Sequence, residues 1–168
     1  DSRKSRGLGD VYKRQTLHRP SNLTDTTLQN IFEAVSSFTE DYQIILPAHP
    51  RLKNYIDEED IEYKNITLID PLSYIDFMAL VYGCELVLTD SGGIQEETTY
   101  LGINCLTLRE ETERPITVQE GTNKVVGTDK ENIIIEINNV LGSKISKEAK
   151  IKYWDGETSD RIFQILYG

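Results

Sequence analysis

The sequence predicts a doubly wound α/β fold with a parallel sheet, and two features of the chain lead to that class. Short apolar runs alternate with amphipathic segments about five times, which is the order that βα units produce. The apolar runs are nearly continuous in aliphatic residues, as expected for strands that helices cover on both faces. In such a sheet, ligands bind beyond the carboxyl ends of the strands.

Length and charge limit the classes of function. The chain has 168 residues, enough for one domain with its own core, and a net charge of -10. Residues 1–15 are basic, show no periodicity and resemble a translated adapter or a disordered leader, so we assign the domain to residues 16–168. Without that segment the domain is more acidic than the whole chain, which disfavours binding to nucleic acid and to anionic membranes.

The remaining composition predicts a cytoplasmic protein without a cofactor or a metal. No apolar run approaches the roughly 20 residues of a membrane span. Cys84 and Cys105 lie beside or within aliphatic runs and away from any CxxC spacing, so we interpret them as core residues in a reducing compartment. The sequence contains no Gly-x-Gly-x-x-Gly, P-loop, Gly-x-Ser-x-Gly or Asp/His metal cluster.

Five strands are predicted, and turn-forming or polar residues follow them. They cover Gln43–Ala48, Asn65–Asp70, Glu85–Thr89, Cys105–Leu108 and Lys124–Gly127. A further strand is expected directly before Thr16, where the domain starts abruptly.

Helices are predicted between and after these strands. Apolar residues spaced by three and four mark the first helix within Leu23–Phe38, with Thr24 or Asp25 as its N-cap. The other helices cover a short segment after Arg51, Ser73–Tyr82, the residues from Gly93 to Leu101, Asp129–Leu141, Lys144–Tyr153 and Glu157–Tyr167. We interpret Arg109–Asn123 as a polar loop with one helical turn.

Polar clusters follow the strands, so we expect their side chains to converge at one edge of the sheet. These clusters are His18-Arg19, His49-Pro50-Arg51, Asp70-Pro71-Leu72, Asp90–Gly93 and Arg109–Arg114. Within Asp90–Gly93, the residues Ser91, Gly92 and Gly93 could offer backbone amides to a diphosphate at the start of a helix. Taken alone, this turn is explained at least as well by steric need without any ligand.

Other side chains near this edge each allow two interpretations. Glu97 is placed to accept hydrogen bonds from ribose hydroxyls, or it simply interacts with the helix N-terminus. His18 could exchange a proton with a leaving group, or it is a capping or surface histidine. Phe77 could line a flat base or belong to the core, whereas Arg109 and Arg114 could pair with phosphate or with neighbouring glutamates.

Six short motifs occur in order along residues 16–168. They are Thr16-Leu17-His18-Arg19-Pro20-Ser21-Asn22, Asp70-Pro71-Leu72, Asp90-Ser91-Gly92-Gly93-Ile94-Gln95-Glu96-Glu97, Thr112-Glu113-Arg114-Pro115, Glu120-Gly121-Thr122-Asn123 and Val126-Gly127-Thr128-Asp129. Each motif alone is weak, but the ordered set resembles the non-hydrolysing UDP-N-acetylglucosamine 2-epimerase family.

The resemblance implies the C-terminal, UDP-binding Rossmann-like half of a glycosyltransferase-B fold, whose last helices would pack back toward an N-terminal half. Members of the family interconvert UDP-GlcNAc and UDP-ManNAc. They are thought to eliminate UDP and to add it back with inversion at the sugar C2, without a nicotinamide cofactor. A homodimer is expected for the parent protein.

By motif, the resemblance implies a role for individual residues. Those that would bind substrate are Leu72 and Phe77 at the uracil, Ser91, Gly92 and Gly93 at the diphosphate, Glu97 at the ribose, and Arg114 in the active site. His18 and Arg19 would be catalytic, and His49 would contact an allosteric substrate molecule.

Two departures from the family pattern modify these expectations. Pro20-Ser21-Asn22 stands where the more familiar bacterial motif has Arg-Glu-Asn, which weakens the assignment of the allosteric site. The catalytic carboxylates of the family belong to the N-terminal half, so we predict that this chain alone does not epimerise and binds UDP weakly or not at all. The alternatives are a hydrolysing UDP-GlcNAc 2-epimerase, a UDP-sugar glycosyltransferase fragment and a non-catalytic nucleotide-sugar-binding module.

Overall fold

The structure, a computed structural model, describes Leu17, Asn22 and residues 24–48, 50–58, 66–142 and 151–167. Within these ranges, parallel strands alternate with helices. The strands are β1 (Ile44–Pro47), β2 (Ile66–Ile69), β3 (Leu86–Thr89), β4 (Asn104–Thr107) and β5 (Asn123–Val125). The helices are α1 (Asp25–Ser36), α2 (Pro50–Glu58), α3 (Tyr74–Tyr82), α4 (Gly92–Leu101), α5 (Pro115–Gln119), α6 (Lys130–Leu141) and α7 (Thr158–Tyr167).

The strands form two hydrogen-bonded sheets rather than one. β1 pairs with β2 in parallel, with Ile44 opposite Ile66. β3, β4 and β5 form the second sheet in that order, also in parallel, with Leu86 opposite Asn104. Parallel strands joined through helices confirm the predicted α/β class, whereas the division into two sheets was not predicted.

The larger hydrophobic core joins the two sheets to α1 and α6. Helix α1 turns one apolar face inward because its aliphatic and aromatic residues recur at intervals of three and four. The buried side chains of this core include Leu28, Ile31 and Phe32 from α1, Leu46 from β1, Leu106 from β4, and Ile133 and Ile137 from α6. Since residues of both sheets share this interior, the sheets belong to one packed unit.

A smaller core lies among α3, β3 and α4. Its buried members are Phe77, Val81, Val87 and Ile94, and Leu72 and Met78 pack against it. Ser73 caps α3 by accepting a hydrogen bond from the backbone amide of Asp76. At the other end of this layer, Gly102 ends α4 with a φ of 72°, a left-handed conformation that glycine adopts without a Cβ penalty.

Most predicted elements occur within a few residues of their expected bounds, but one helix was predicted wrongly. Ile151–Tyr153 were expected to end a helix, and they form a turn instead. Tyr153 has a φ of 71° and Gly156 a φ of 83°, values that an α-helix does not contain. Residues 143–150 and the strand expected before Thr16 lie outside the described residues.

Candidate functional site

The turn from β3 into α4 lies at the carboxyl edge of the larger sheet. Asp90, which directly follows the strand, is fully buried, and Ser91 is the N-cap of α4. The Ser91 amide donates to Thr89 Oγ1 at 3.1 Å, while its own hydroxyl makes no capping bond. Because the first-turn amides of a helix have no intrahelical acceptor, Gly92 and Gly93 offer donors to an anion at this point.

Asn22 connects the first motif of the domain to this edge. Its Nδ2 donates to Asp90 Oδ2 at 3.3 Å and to the Leu108 carbonyl at 2.9 Å, and its side chain is buried. One side-chain amide therefore joins Asn22 to the start of the Asp90–Gly93 turn and to Leu108, which follows β4.

The loop after β4 places two arginines in different settings. Arg109 donates from Nη1 and Nη2 to the two carboxylate oxygens of Glu113, at 2.7 and 2.9 Å. These hydrogen bonds raise the pKa of Arg109, and the nearby charges of Glu113, Glu111 and Asp90 add to that effect. Arg109 is thus neutralised within its own loop. This agrees with the predicted interpretation in which Arg109 pairs with a neighbouring glutamate.

Arg114 instead reaches the glycine turn. A Cβ placed on Gly92 would lie 3.7 Å from Arg114 Cγ, which puts the two residues in contact distance. Arg114 Nε pairs with Glu96 Oε1 at 2.9 Å, and Nη1 donates to the Glu113 carbonyl at 3.2 Å. A guanidinium has five N–H donors, so this side chain keeps capacity for a further acceptor beside the turn.

A buried polar network fixes the loop against α4. Gln95 Oε1 accepts from Thr112 Oγ1 at 2.5 Å and from Asn123 Nδ2 at 3.3 Å. Asn123 also donates to Thr117 Oγ1 at 3.0 Å and accepts from Thr107 Oγ1 at 2.7 Å. Because such bonds are directional and costly to leave unmade, this network holds the backbone on both sides of the loop in one position.

Gln95 and Asn123 both stand within the sequence motifs, but no role was predicted for either residue. A usable signal was present, since Gln95 stands between Ile94 and Thr98 on the inward face of a helix, where apolar residues are expected. A polar residue at such a position needs partners, and its partners here come from the loop and from β5.

Glu97 follows Glu96, the partner of Arg114, and both side chains line the same cavity. Glu97 is half-buried, and residues of α3 and Trp154 also line this shallow cavity of about 630 Å³. Its place one turn into the helix agrees with the position from which a ribose contact was predicted. That contact stays a prediction.

Leu72 and Phe77, the two residues predicted at the uracil, belong to the smaller core. Phe77 is 1% exposed among Val81, Val87 and Ile94, and Leu72 is half-buried against the same cluster. The structure therefore places Phe77 in the core, and a direct contact between its ring and a base stays untested.

The remaining predicted site residues, His18, Arg19 and His49, lie outside the described residues. Within the described ranges, no group of three or more His, Cys, Asp or Glu side chains could hold a metal ion. No helix in the same part of the chain is long and apolar enough to cross a membrane.

Comparison with known proteins identifies the family. The sequence profile of the family described as UDP-N-acetylglucosamine 2-epimerase matches residues 6–167. The chain belongs to this family. A protein named UDP-N-acetylglucosamine 2-epimerase from Methanocaldococcus jannaschii is 39% identical over 170 residues, which cover 96% of this chain and 46% of that protein.

Solved structures of epimerases share the fold. The crystal structure of Methanocaldococcus jannaschii UDP-GlcNAc 2-epimerase in complex with UDP-GlcNAc and UDP matches with a TM-score of 0.77 and 39% identity, over 91% of this chain and 44% of that one. The Neisseria meningitidis UDP-GlcNAc 2-epimerase bound to UDP-GlcNAc matches with a TM-score of 0.75 and 33% identity, over 90% and 43%. The chain thus spans less than half the length of these epimerases, and its predicted family and fold class are confirmed.

Proposed function

We propose that the chain is the UDP-binding half of an enzyme that interconverts UDP-GlcNAc and UDP-ManNAc. The observation that carries the proposal is the Ser91–Gly93 turn with Arg114 beside it, in a chain of the epimerase family. Amides at a helix start and a guanidinium fork are both suited to a diphosphate. In an acidic protein, these local donors must supply the attraction that a broad positive surface would otherwise give.

The reaction requires the C1–O bond to UDP to break while C2 loses its proton. UDP then bonds to C1 again, and C2 gains a proton on its opposite face. UDP leaves with additional negative charge on its terminal phosphate. Donors fixed before the bond breaks stabilise that charge without reorganising, so the turn and Arg114 would act on the departing UDP. The buried network around Gln95 and Asn123 would keep Arg114 in position.

Deprotonation at C2 requires a base that none of the turn residues can provide. His18 and Arg19 are proposed to act near the leaving group, and carboxylates from an N-terminal half are proposed to act at C2. On this proposal the chain alone does not turn over substrate. A cytoplasmic location and a homodimeric parent protein belong to the same proposal.

The decisive experiment supplies the other half. The chain is combined with the N-terminal half of the Methanocaldococcus jannaschii relative, and UDP-GlcNAc is followed by proton NMR. Formation of UDP-ManNAc supports the proposal. Free ManNAc with UDP would assign a hydrolysing enzyme, and tight UDP binding without turnover would assign a binding module.

Arg114→Ala tests the turn in the same complemented enzyme. We expect the Kd for UDP, measured by calorimetry, to rise between about 10-fold and 100-fold, because a charge-assisted hydrogen bond is lost. Lys124→Ala is the control, since this variant also loses a positive charge, but from a side chain that pairs with Glu136 of α6. Equal Kd values for the two variants would remove Arg114 from the site.

A further inference from the structure

The glycine turn that is proposed to hold a diphosphate lies among acidic residues. Residues 90–97 and 109–114 together contain six carboxylates and two arginines. Charges act on one another over about one Debye length, roughly 8 Å at physiological ionic strength, and like charges repel. A diphosphate at this turn therefore binds only if the carboxylates closest to it are neutralised by the protein.

Glu113 brings one of these negative charges directly to the turn. A Cβ placed on Gly92 would lie 3.8 Å from Glu113 Oε2, and 3.7 and 3.9 Å from Cγ and Nε of Arg114. One carboxylate and one guanidinium side chain thus lie side by side against the same glycine. A phosphate bound to the amides of this turn would lie within about one Debye length of both, roughly 8 Å. An unbalanced charge on Glu113 would cancel much of the attraction that Arg114 supplies.

Arg109 balances the charge of Glu113. Its Nη1 and Nη2 donate to the two carboxylate oxygens of Glu113, at 2.7 and 2.9 Å. A bidentate pair of this kind fixes the orientation of the carboxylate as well as neutralising it. The side chain of Arg109 is 11% exposed and that of Glu113 is 51% exposed, so the guanidinium holds the carboxylate from the protein side.

The same clamp reaches Arg114 through the backbone. The carbonyl of Glu113 accepts a hydrogen bond from Arg114 Nη1 at 3.2 Å. Glu113 therefore contacts both arginines, Arg109 through its side chain and Arg114 through its backbone. By fixing Glu113, Arg109 also steadies one of the contacts that place the Arg114 guanidinium beside the turn.

Arg109 compensates negative charge from the turn as well as from its own loop. The hydrogen bonds to Glu113 raise the pKa of Arg109, and the charges of Glu113, Glu111 and Asp90 raise it further. Asp90 is fully buried and directly precedes Ser91, the N-cap of α4. One guanidinium thus serves carboxylates on both sides of the proposed diphosphate position.

Resting on the proposed binding of UDP at this turn, we propose that Arg109 is a positioning residue of the diphosphate site. It acts through Glu113, because it neutralises the carboxylate beside Gly92 and fixes the backbone that supports Arg114. Loss of Arg109 should therefore weaken the binding of a nucleoside diphosphate and leave the binding of the nucleoside unchanged. A role of Arg109 in stability alone would weaken both to the same extent.

The test compares UDP with uridine, which lacks the phosphates, in the complemented enzyme. For Arg109→Ala we expect the Kd of UDP, measured by calorimetry, to rise at least roughly tenfold, because a carboxylate is left unbalanced beside the turn. The Kd of uridine, measured by NMR titration, should change by less than about twofold. Lys124→Ala is the control, since it also removes a positive charge from an ion pair, but one between β5 and Glu136 of α6, and it should change neither Kd.

Glu113→Gln supplies the rescue. In the double variant of Arg109→Ala and Glu113→Gln the unbalanced charge is gone, so the Kd of UDP should return to within about threefold of the unchanged enzyme. Glu113→Gln alone should lower the Kd of UDP about threefold, because a negative charge beside the turn is lost. If Arg109→Ala does not fold, this single variant decides: a Kd that stays equal or rises overturns the proposal.

Arg114→Ala separates this proposal from the proposed function. If the unchanged enzyme binds UDP no more tightly than uridine and Arg114→Ala changes neither Kd, the turn is not a diphosphate site and both are overturned. If Arg114→Ala raises the Kd of UDP but Arg109→Ala does not, or raises both Kd values equally, only the role of Arg109 is overturned. A selective rise for UDP that Glu113→Gln reverses supports it.

Discussion

The two sheets of the molecule are held by different kinds of contact. Around β3, β4 and β5, fully buried side chains include Thr89, Asp90, Gln95 and Thr107, and Asn123 is 5% exposed. Around β1 and β2, the described residues that are buried are apolar, among them Leu46, Leu52 and Ile66. Hydrogen bonds fix position and orientation, whereas apolar packing tolerates repacking. The candidate site lies on the sheet whose geometry is fixed by hydrogen bonds.

The largest expected effect is the loss of that fixed geometry in Gly121→Ala. The new Cβ would lie 2.4 Å from the Thr117 carbonyl oxygen and 2.5 Å from Thr99 Cγ2, so the α5–β5 connection must shift. We expect the free energy of unfolding to fall by roughly 3 kcal/mol in urea titrations. Gly83→Ala is the control, because its nearest neighbour would be at 3.6 Å. Similar stabilities of the two variants would contradict the described packing.

The two cysteines report separately on the hydrogen-bonded interior at β4 and on the apolar connection between α3 and β3. Cys105 on β4 is 1% exposed, and burial raises its pKa to about 12. Cys84, between α3 and β3, is half-buried, and burial raises its pKa above the ordinary value as well. We expect alkylation of Cys84 at pH 8, followed by mass spectrometry, to be at least roughly 100-fold faster than that of Cys105. Equal rates would mean that β4 and the α3–β3 connection open together.

The pH dependence of the same thiols has a definite sign. A thiol whose folded pKa is raised stabilises the fold below the ordinary pKa of 9.0, and this contribution is lost as the pH rises toward about 12. Cys105→Ala should therefore flatten the fall in stability between those values. In the alkylation experiment, Cys84→Ser is the control, because this variant should lose the fast phase.

A smaller effect is expected from Thr107→Val, which breaks one bond of the buried network. Thr107 Oγ1 donates to Asn123 Oδ1 at 2.7 Å, and the variant leaves that buried acceptor without this donor. We expect a loss of about 1 to 2 kcal/mol in the free energy of unfolding. Thr67→Val on β2 changes an exposed residue of the other sheet and should stay within about 0.5 kcal/mol of the unchanged chain. A larger loss of unfolding free energy in Thr67→Val than in Thr107→Val would refute the contrast between the two sheets.

The smallest effect on stability is expected at α7. Its apolar side chains are exposed, with Ile165 at 82%, so Ile165→Lys should change the unfolding free energy by less than about 0.5 kcal/mol. Large exposed apolar faces mark interaction surfaces, and the last helices were predicted to pack toward an N-terminal half. In sedimentation experiments with that half, Ile165→Lys should weaken the complex and Gln164→Lys should not. Unchanged association in both variants would assign the α7 face another role.

Local sequence predicted the helices and strands well where one kind of interaction decides the conformation of the segment. The run Glu85–Thr89 was predicted as a strand, and β3 covers Leu86–Thr89, because a strand covered on both faces is aliphatic throughout. The helix predicted over Lys144–Tyr153 is wrong in its described part. The helical spacing of apolar residues in the sequence continues there into residues that form a turn. The left-handed conformations at Tyr153 and Gly156 end that periodicity, and Gly156 was its only strong local signal.

The candidate site was predictable in its backbone and less so in its side chains. The glycine turn and Arg114 follow from local pattern and motif. The burial of Gln95 depends on Asn123, which is 28 residues away, and on Thr112, which is 17 residues away. Strand pairing is equally non-local, so neither the network nor the division into two sheets could be read from neighbouring residues.

The bonds of Asn22 also constrain how the chain folds during synthesis. Its partners Asp90 and Leu108 lie 68 and 86 residues downstream. At typical translation rates, the Leu108 carbonyl leaves the ribosome roughly 4 to 17 s after Asn22. Until then the Asn22 side chain can meet only one of these two partners, so its final position is not yet fixed. The position of Asn22 is thus fixed only after the strands downstream of it have been synthesised, which reverses the order of synthesis at this point of the chain.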